Sequence, residues 1–249
     1  ELILVAQETT LYGKDLYGEK SLHRLLRELC KISGIRWIRI LYCYPEEITE
    51  ELIQTIKEEP KICHYLDLPI QHASDDVLKR MGRRTSKEEL IHIISRIREE
   101  IPDITLRTTL ITGFPGESKE QHEELMDFVD EMAFGRLGVF TYSAEDGTPA
   151  AQMPDQVEES VKEARRAELM ELQQEIAFDQ AEQMIGREVL VMIEGKVADE
   201  NAYVGRTYKD APNVDGLIFV NTDTELLSGD FAKVRVTGAC EYDLIGELM

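Results

Sequence analysis

Polar or glycine-rich residues follow each of five short apolar runs in the first part of the chain. The clusters that stand out are Gln7-Glu8, Tyr44-Pro45-Glu46, Gln71-His72-Ala73-Ser74, Gly113-Phe114-Pro115-Gly116-Glu117 and Tyr142-Ser143. In parallel sheets and barrels, ligands bind at the carboxyl ends of the strands, so these clusters would share one rim. The spacing therefore predicts a ligand site built from several loops.

The turn Gly113–Glu117 joins an apolar run to a helical pattern. It is neither a P-loop, because no Gly-Lys-Ser/Thr follows it, nor the GxGxxG of dinucleotide-binding folds. Its backbone amides could bind a carboxylate or a ribose, or the turn could simply connect strand and helix. The same alternative applies to Gln71 and Ser74, which could bind a ligand or cap a helix.

Acid–base catalysis has little support in the sequence. Glu8, Asp67 and Glu117 could each be a general acid, but none is paired with a histidine or a second carboxylate at predictable geometry. The four cysteines, at positions 30, 43, 63 and 240, have no CxxC or CxxxCxxC spacing, which predicts inert thiols and no metal site in this chain. We therefore expect the rim to hold a cofactor that carries the chemistry.

The net charge of −21 argues against nucleic-acid binding. Residues 1–182 carry 22 basic and 37 acidic side chains, and residues 183–249 carry 6 and 12, so both parts would repel a phosphate backbone. The charge is explained either by solubility or by a basic partner, such as a ribosomal protein. No apolar run approaches the roughly 18 residues of a membrane span, and we expect a soluble cytoplasmic protein.

The elements that would position the clusters alternate along the chain. Strands are predicted at Leu2–Ala6, Trp37–Cys43, Cys63–Leu68, Thr105–Ile111 and Arg136–Tyr142. Helices are predicted to begin after Ser21, Thr49, Ser86 and Ser118, the last two with capping-box spacing to Glu89 and Gln121. Repeated strand–helix units predict an α/β fold with a parallel sheet, either doubly wound or a full or partial barrel.

The pattern changes after residue 149. A long charged helix is predicted from Val157 to Glu182, with one face formed by Val157, Val161, Ala164, Leu169, Leu172 and Ile176. After Gly186 the period becomes two in the runs EVLVMIE, AYVGRTY, GLIFVN, AKVRVTG and YDLIGEL, which predicts a small antiparallel β-barrel of OB-like type. We place the domain boundary between residues 182 and 183.

Several segments in order resemble one family. They are AQETTLYGKDLYG, YPEEITEELI, DLPIQHASDDVLKRMGRRT, LITGFPGES, FTYSAEDGTPAAQMPDQV and GRTYKDAPNVDG. Residues 1–182 resemble the radical S-adenosylmethionine domain of the methylthiotransferases, and residues 183–249 resemble their TRAM domain. The resemblance covers essentially the whole chain and implies a partial radical-SAM-type (β/α) barrel followed by the small barrel.

The chain is similar to the ribosomal branch of this family, the RimO type, which methylthiolates the β-carbon of an aspartate in the small-subunit ribosomal protein numbered twelve. The tRNA-modifying branch typically reads Gln-Ser-Gly-Ser where this chain has Gln71-His72-Ala73-Ser74, and Arg where it has Glu145. The resemblance implies that His72 and Glu145 select the substrate. It also implies that the acidic TRAM domain docks the ribosomal protein rather than RNA.

The resemblance further implies which residues bind S-adenosylmethionine. Gln7 and Glu8 would lie near the methionine amino group, and Gln71 and Ser74 near the ribose or carboxylate. Arg107 would pair with the methionine carboxylate or form a structural ion pair. The adenosine would lie close to the backbone of Gly113, Phe114, Pro115, Gly116 and Glu117, flanked by Tyr142 and Ser143.

Members of the family cleave S-adenosylmethionine with a four-iron–four-sulfur cluster, and a second cluster in an N-terminal domain takes part in sulfur delivery. This chain has no CxxxCxxC motif and opens at Glu1 within a strand-like run. We therefore expect a fragment that lacks the first barrel strand, binds neither cluster and is inactive alone. Two alternatives are a tRNA methylthiotransferase of the same family and a non-catalytic module that binds a nucleotide or a ribosomal protein.

Overall fold

The computed structural model describes all residues from Glu1 to Met249, which form two compact units, Glu1–Gln173 and Gln174–Met249. The strands of the first unit are β1 (Leu2–Leu4), β2 (Ile38–Ile40), β3 (Ile62–Asp67), β4 (Thr105–Thr112) and β5 (Arg136–Thr141). Its helices are α1 (Lys14–Tyr17), α2 (Leu22–Cys30), α3 (Glu50–Glu58), α4 (Asp75–Arg80), α5 (Lys87–Glu100) and α6 (Lys119–Met132). Helix α7 (Glu159–Glu182) is continuous across both units.

The first unit is a parallel sheet whose strands follow one another in chain order, β1-β2-β3-β4-β5. Every neighbouring pair is parallel, as in the register Asp67 opposite Arg107 and Arg107 opposite Arg136. A doubly wound sheet reverses its strand order at a switch point, whereas a barrel does not. The sheet is therefore of the partial-barrel type, as predicted, and all five carboxyl ends lie along one edge.

The predicted helix starts are confirmed. The Thr49 hydroxyl accepts a hydrogen bond from the Leu52 amide, and complete capping boxes form at Ser86 and Ser118. Helix α1 was not predicted, and α4 was anticipated only as the helix that Ser74 could cap, because four and six residues are too few to show a helical period. None of the helices combines the length and the apolar character needed to cross a membrane.

The buried face of α7 differs from the predicted one. Leu169 is buried as expected, but Val161 is 40% exposed and Ala164 is exposed. The positions that face the first unit at this end of the helix are instead Lys162 and Arg165, which are 7% and 9% exposed. Both donate hydrogen bonds to backbone carbonyls, so the burial of their charges is compensated.

The second unit is a closed five-stranded barrel. Its strands are β6 (Glu188–Lys196), β7 (Ala202–Arg206), β8 (Ile218–Asn221), β9 (Phe231–Cys240) and β10 (Asp243–Leu248), in the order β10-β8-β7-β6-β9. Four neighbouring pairs are antiparallel, but β8 and β10 are parallel. A ring with an odd number of strands cannot alternate direction throughout, so closure requires at least one parallel pair. The OB-like barrel is therefore mixed rather than purely antiparallel.

The last turns of α7 belong to this second unit. Ala177 is buried, and the ring of Phe178 packs edge to face on Tyr242 with the ring centroids 5.7 Å apart. Ala181 packs against the barrel core, which includes Val191, Val220 and Val234. The boundary predicted between residues 182 and 183 stays a prediction, since one helix serves both units.

Candidate functional site

Backbone hydrogen bonds join the five predicted clusters along the carboxyl-end rim of the sheet. The Thr9 amide donates to Tyr42, the Cys43 amide to Asp67 and the Leu68 amide to Arg107, all to carbonyl oxygens at 2.8 or 2.9 Å. Gln71 bridges to Leu110, and the Tyr142 amide donates to the Thr112 carbonyl (2.8 Å). The rim is therefore one connected surface from the first strand to the fifth.

Glu8 is half-buried at the end of β1 and makes a local cap. One oxygen, Oε1, accepts hydrogen bonds from the Thr10 amide and hydroxyl and from the Tyr44 amide, while Oε2 is buried without a hydrogen-bond partner. Burial raises the pKa of Glu8 to about 7. The hydrogen bonds from the Tyr44 and Thr10 amides lower this pKa, and the nearby Glu46 and Glu47 raise it further. Gln7, beside it, is exposed.

Asp67 and Arg107 form an ion pair in the middle of the rim. The Asp67 carboxylate is buried and lies 3.1 Å from Nη1 of Arg107, and it also accepts a hydrogen bond from the Tyr42 amide (3.2 Å). The same Arg107 nitrogen contacts the Thr109 hydroxyl at 3.4 Å. The structural ion pair considered for Arg107 is thus present, and its contact with a methionine carboxylate stays a prediction.

The segment after β3 is shaped by Gln71 and His72. Gln71 has the left-handed φ of 73°, and its side-chain Oε1 is buried without a hydrogen-bond partner. His72 is fully buried, and its Nδ1 accepts a hydrogen bond from the amide of Ser74, which occupies the N-cap position of α4 without a side-chain capping bond. Any influence of His72 on substrate choice must therefore act through this loop rather than by contact. Glu145, by contrast, is exposed.

The turn Gly113–Glu117 uses its own amides internally. The Glu117 carboxylate lies beneath the turn and accepts hydrogen bonds from the amides of Gly113 and Phe114 through Oε2. The Gly116 amide donates to the Asp155 carbonyl (2.8 Å) and the Glu117 amide to Phe114 (2.9 Å), while Pro115 has no amide hydrogen. Every amide of the turn thus has an acceptor within the chain, which favours the alternative of a connection between strand and helix, and the binding of a carboxylate or ribose here stays a prediction. The Cα atoms of Gly113 and Gly116 are covered by the side chains of Lys162 and Arg80.

Glu117 is the centre of a buried charged cluster. Its Oε1 lies 3.1 Å from Nη1 of Arg165, 3.9 Å from Nε2 of His72 and 4.0 Å from Nδ1 of His122. Burial alone would raise the pKa of Glu117, but His72, Arg165 and the Gly113 amide outweigh it and lower that pKa. Sequence reasoning missed Arg165 and His122. For His122 the sequence did contain a signal, because it lies three residues before the buried Leu125 on α6.

An aromatic pair lies where β4 and β5 end. The rings of Phe114 and Tyr142 meet edge to face with centroids 5.1 Å apart, and Val77 completes the buried group. The Tyr142 hydroxyl is buried without a hydrogen-bond partner, whereas Ser143 next to it is exposed. An apolar group that contains an unsatisfied hydroxyl suits a flat ligand that has a polar edge.

The cysteines do not converge on this rim. Cys43 and Cys63 are buried, Cys30 is half-buried and Cys240 is exposed, and all four are free thiols. No three residues among the histidines, cysteines, aspartates and glutamates are arranged to hold a metal ion. The residues of this chain therefore do not fit an iron–sulfur cluster.

Comparison with known families agrees with this architecture. The model of the radical SAM superfamily matches residues 1–129, and that of the TRAM domain matches residues 185–249. The chain belongs to the radical SAM superfamily. The predicted resemblance to a radical SAM domain followed by a TRAM domain is thereby confirmed.

Curated relatives match almost the whole chain. A protein of Lachnoclostridium phytofermentans named ribosomal protein uS12 methylthiotransferase RimO is 66% identical over 99% of this chain and 56% of its own length. Proteins with the same name from Clostridium botulinum and Desulfitobacterium hafniense are 53% and 50% identical. This radical SAM chain thus spans a little over half of the length of the curated relatives that it matches. A solved radical SAM enzyme, coproporphyrinogen III oxidase (HemN) of Escherichia coli, has 22% identity and a TM-score of 0.46 over 67% of this chain and 37% of its own.

Proposed function

We propose that the chain supplies the S-adenosylmethionine-binding sheet and the TRAM domain of a methylthiotransferase that acts on ribosomal protein uS12. The observation that carries the proposal is the 66% identity to a relative of that name, which continues through both units. The reaction would add a methylthio group to the β-carbon of an aspartate. A substrate on the ribosome would place the protein in the cytoplasm.

Three buried polar atoms on the rim support S-adenosylmethionine as the ligand. Glu8 Oε2, Gln71 Oε1 and the Tyr142 hydroxyl are buried without hydrogen-bond partners, and such groups ordinarily have one. When bound, S-adenosylmethionine supplies the radical and the methyl group. The Glu8 carboxylate would accept a hydrogen bond from the methionine ammonium group. Burial raises the pKa of Glu8, and a neighbouring positive charge would stabilise its ionised form.

The adenosine end would lie between the glycine turn and the aromatic pair. Phe114 and Tyr142 provide apolar surface there, and Gln71 and Ser74 lie on the neighbouring loop. Gln7 and Ser143, both exposed, would contact the two ends of the ligand from the solvent side. Arg107 would reach the methionine carboxylate while it keeps its bond to Asp67.

We expect this chain alone not to turn over, because its cysteines do not fit a cluster. Iron and sulfide analysis of the purified chain tests this expectation directly. Stoichiometric iron and sulfide in a monodisperse preparation would contradict it.

We assign the docking of uS12 to the acidic second unit. Residues 183–249 carry 12 acidic and 6 basic side chains, which suits a basic protein and disfavours RNA. A pocket of about 280 Å³ in this unit is lined in part by Tyr203, Asp223 and Glu225, and both acids are exposed. A lysine or arginine of the partner could enter such a pocket.

The test titrates the chain with uS12 and with tRNA in parallel at about 150 mM salt, where weak phosphate contacts are screened. We expect uS12 to bind and tRNA not to bind. The double variant D223N/E225Q should weaken uS12 binding about three- to ten-fold. The variant E171Q/E175Q removes the same number of exposed charges from α7 and serves as the control. Binding of tRNA instead would favour the tRNA-modifying branch. Equal losses of uS12 affinity in the two double variants would contradict a specific docking site and indicate a non-specific charge effect.

A further inference from the structure

The first turns of α7 present basic side chains to backbone carbonyls around the rim. Lys162 Nζ donates to the Tyr142 carbonyl (2.9 Å), Arg165 Nη1 to the Glu117 carbonyl (3.1 Å) and Arg166 Nε to the Val139 carbonyl (3.2 Å). Strand β5 is the last strand of the sheet and has no neighbour beyond it. Helix α7 therefore occupies the side of β5 where another strand would otherwise pair.

Lys162 connects the two rim segments assigned to adenosine. Its ammonium group is hydrogen-bonded to the backbone of Tyr142 and lies 5.4 Å from the centroid of the Tyr142 ring. Its methylene groups fill the space over Gly113, where a Cβ atom would overlap Cγ of Lys162. The Thr112 hydroxyl also donates to the Lys162 backbone carbonyl (3.3 Å).

An apolar side chain could fill the space that the Lys162 stem occupies. The ammonium group adds a directional hydrogen bond to the Tyr142 carbonyl. Lys162 is 7% exposed, and its one carboxylate partner, Glu159, is 68% exposed and 3.0 Å away. A buried ammonium costs free energy unless it is hydrogen-bonded, so the bond to the Tyr142 carbonyl offsets a substantial penalty. A methionine would bury the same stem without that penalty, but it could not fix the position of Tyr142.

We propose that Lys162 is a positioning residue for the adenosine part of the ligand. It holds Tyr142 and Gly113 at a fixed separation, so that the aromatic pair and the glycine turn form one slot. Lys162 acts through these two residues and does not itself touch the ligand. The inference rests on the proposed binding of S-adenosylmethionine at this rim.

The test compares the chain with the variant K162M, which keeps the packed stem and removes the amine. The matched control is K119M, because Lys119 lies on α6 with a side chain that is 80% exposed. The probes are S-adenosylhomocysteine and 5′-methylthioadenosine, and calorimetry measures affinity and stoichiometry separately. We expect K162M to bind both probes about ten-fold more weakly at unchanged stoichiometry, and K119M to bind like the native chain. Equal losses are expected because the two probes share the adenosine part.

Unchanged affinity in K162M would overturn the inference and leave the proposed function intact. So would a loss confined to S-adenosylhomocysteine, or a reduced stoichiometry at unchanged affinity, since the latter is the mark of partial unfolding. If the native chain binds neither probe, the proposed function fails.

Hydrogen exchange of the ligand-free chain then decides whether Lys162 positions the rim. We expect K162M to accelerate exchange of the Gly113, Phe114 and Tyr142 amides about ten-fold, with the Leu66 and Leu106 amides of the sheet unaffected. No acceleration, or an equal one throughout the sheet, would overturn the positioning role.

Discussion

Two glutamates on the rim show how the surroundings of a residue decide its charge. Burial raises the pKa of Glu8, whose further neighbours Glu46 and Glu47 are also acidic. Glu117 is more deeply buried, yet its pKa is lowered because His72 and Arg165 surround the carboxylate. The first glutamate is suited to exchange a proton or to accept a cation near neutral pH, and the second holds the turn in place.

The raised pKa of Glu8 predicts a specific dependence of stability on pH. The folded chain binds this proton more tightly than the unfolded chain, whose pKa is near the ordinary value of 4.5. The contribution of Glu8 to stability is therefore fully present below about pH 4.5 and is lost as the pH rises through about 7. The neutral variant E8Q keeps an oxygen that can accept from Thr10 and Tyr44 and escapes this loss.

Thermal unfolding at pH 5 and pH 8 measures the effect. We expect the melting temperature of E8Q, relative to that of the native chain, to rise between these two pH values. The exposed Glu171 provides a control, and E171Q should show no such change. A difference between E8Q and the native chain that is the same at both pH values would contradict the assignment.

Residue-level prediction from the sequence was least successful for buried charges. His72, Lys162 and Arg165 are all buried, although charged and polar residue types are ordinarily exposed. Their burial depends on carbonyl and carboxylate partners that are far away in the sequence, such as Tyr142 for Lys162 and Glu117 for Arg165. No local pattern contains that information.

At the scale of elements, the turn Gly113–Glu117 contains two glycines whose surroundings differ. Gly113 and Gly116 both have left-handed φ values, 70° and 74°. A Cβ atom on Gly113 would overlap the packed stem of Lys162, whereas on Gly116 it would meet the tip of the Arg80 guanidinium. The Arg80 tip is held by hydrogen bonds to the Pro115 carbonyl (3.0 Å) and Gln121 Oε1 (3.2 Å), which water can replace when the tip moves, whereas the Lys162 stem is packed against the sheet.

This difference predicts unequal costs for two alanine substitutions. We expect G116A to lower the free energy of unfolding by about 1–2 kcal/mol, the cost of a left-handed alanine. G113A should cost a further ~1–3 kcal/mol, because it also overpacks the space that Lys162 fills. Urea denaturation measures both, with G82A as the control, since Gly82 has a φ of 76° and open space around it. Equal effects of G113A and G116A would contradict the packing role of Lys162.

Elements with long local signals were predictable, and those set by tertiary contacts were not. The five parallel strands, the capping boxes at Ser86 and Ser118 and the five barrel strands follow from periodicity and cap chemistry. The internal use of the turn amides depends on contacts with Asp155 and Glu117, which periodicity does not reveal, and the six residues of α4 are too few to show a helical period. The parallel pairing of β8 with β10 follows from barrel closure rather than from either strand.

At the scale of the whole molecule, α7 serves two units with two kinds of contact. Its first turns contribute Lys162 and Arg165 to the sheet, and its last turns contribute Phe178 and Ala181 to the barrel. The sequence pattern did not predict these two sets of contacts. The helix is highly charged, and the buried positions of its first turns include Lys162 and Arg165, so no single apolar face runs along its whole length. A domain boundary after residue 182 would separate Phe178 from Tyr242.

The contact between Phe178 and Tyr242 predicts where the second unit can be cut. A segment of residues 174–249 keeps Phe178 and Ala181 on the barrel, whereas residues 183–249 expose the apolar surface that these two side chains cover. Burial of one aromatic side chain and one small one stabilises by about 2 kcal/mol. We therefore expect the longer segment to unfold cooperatively at a higher temperature in thermal circular dichroism. The variant F178A should lower the melting temperature of the longer segment most of the way to that of the shorter one. Equal melting temperatures for the two segments would show that the barrel is complete without α7 and would favour the boundary at residue 183.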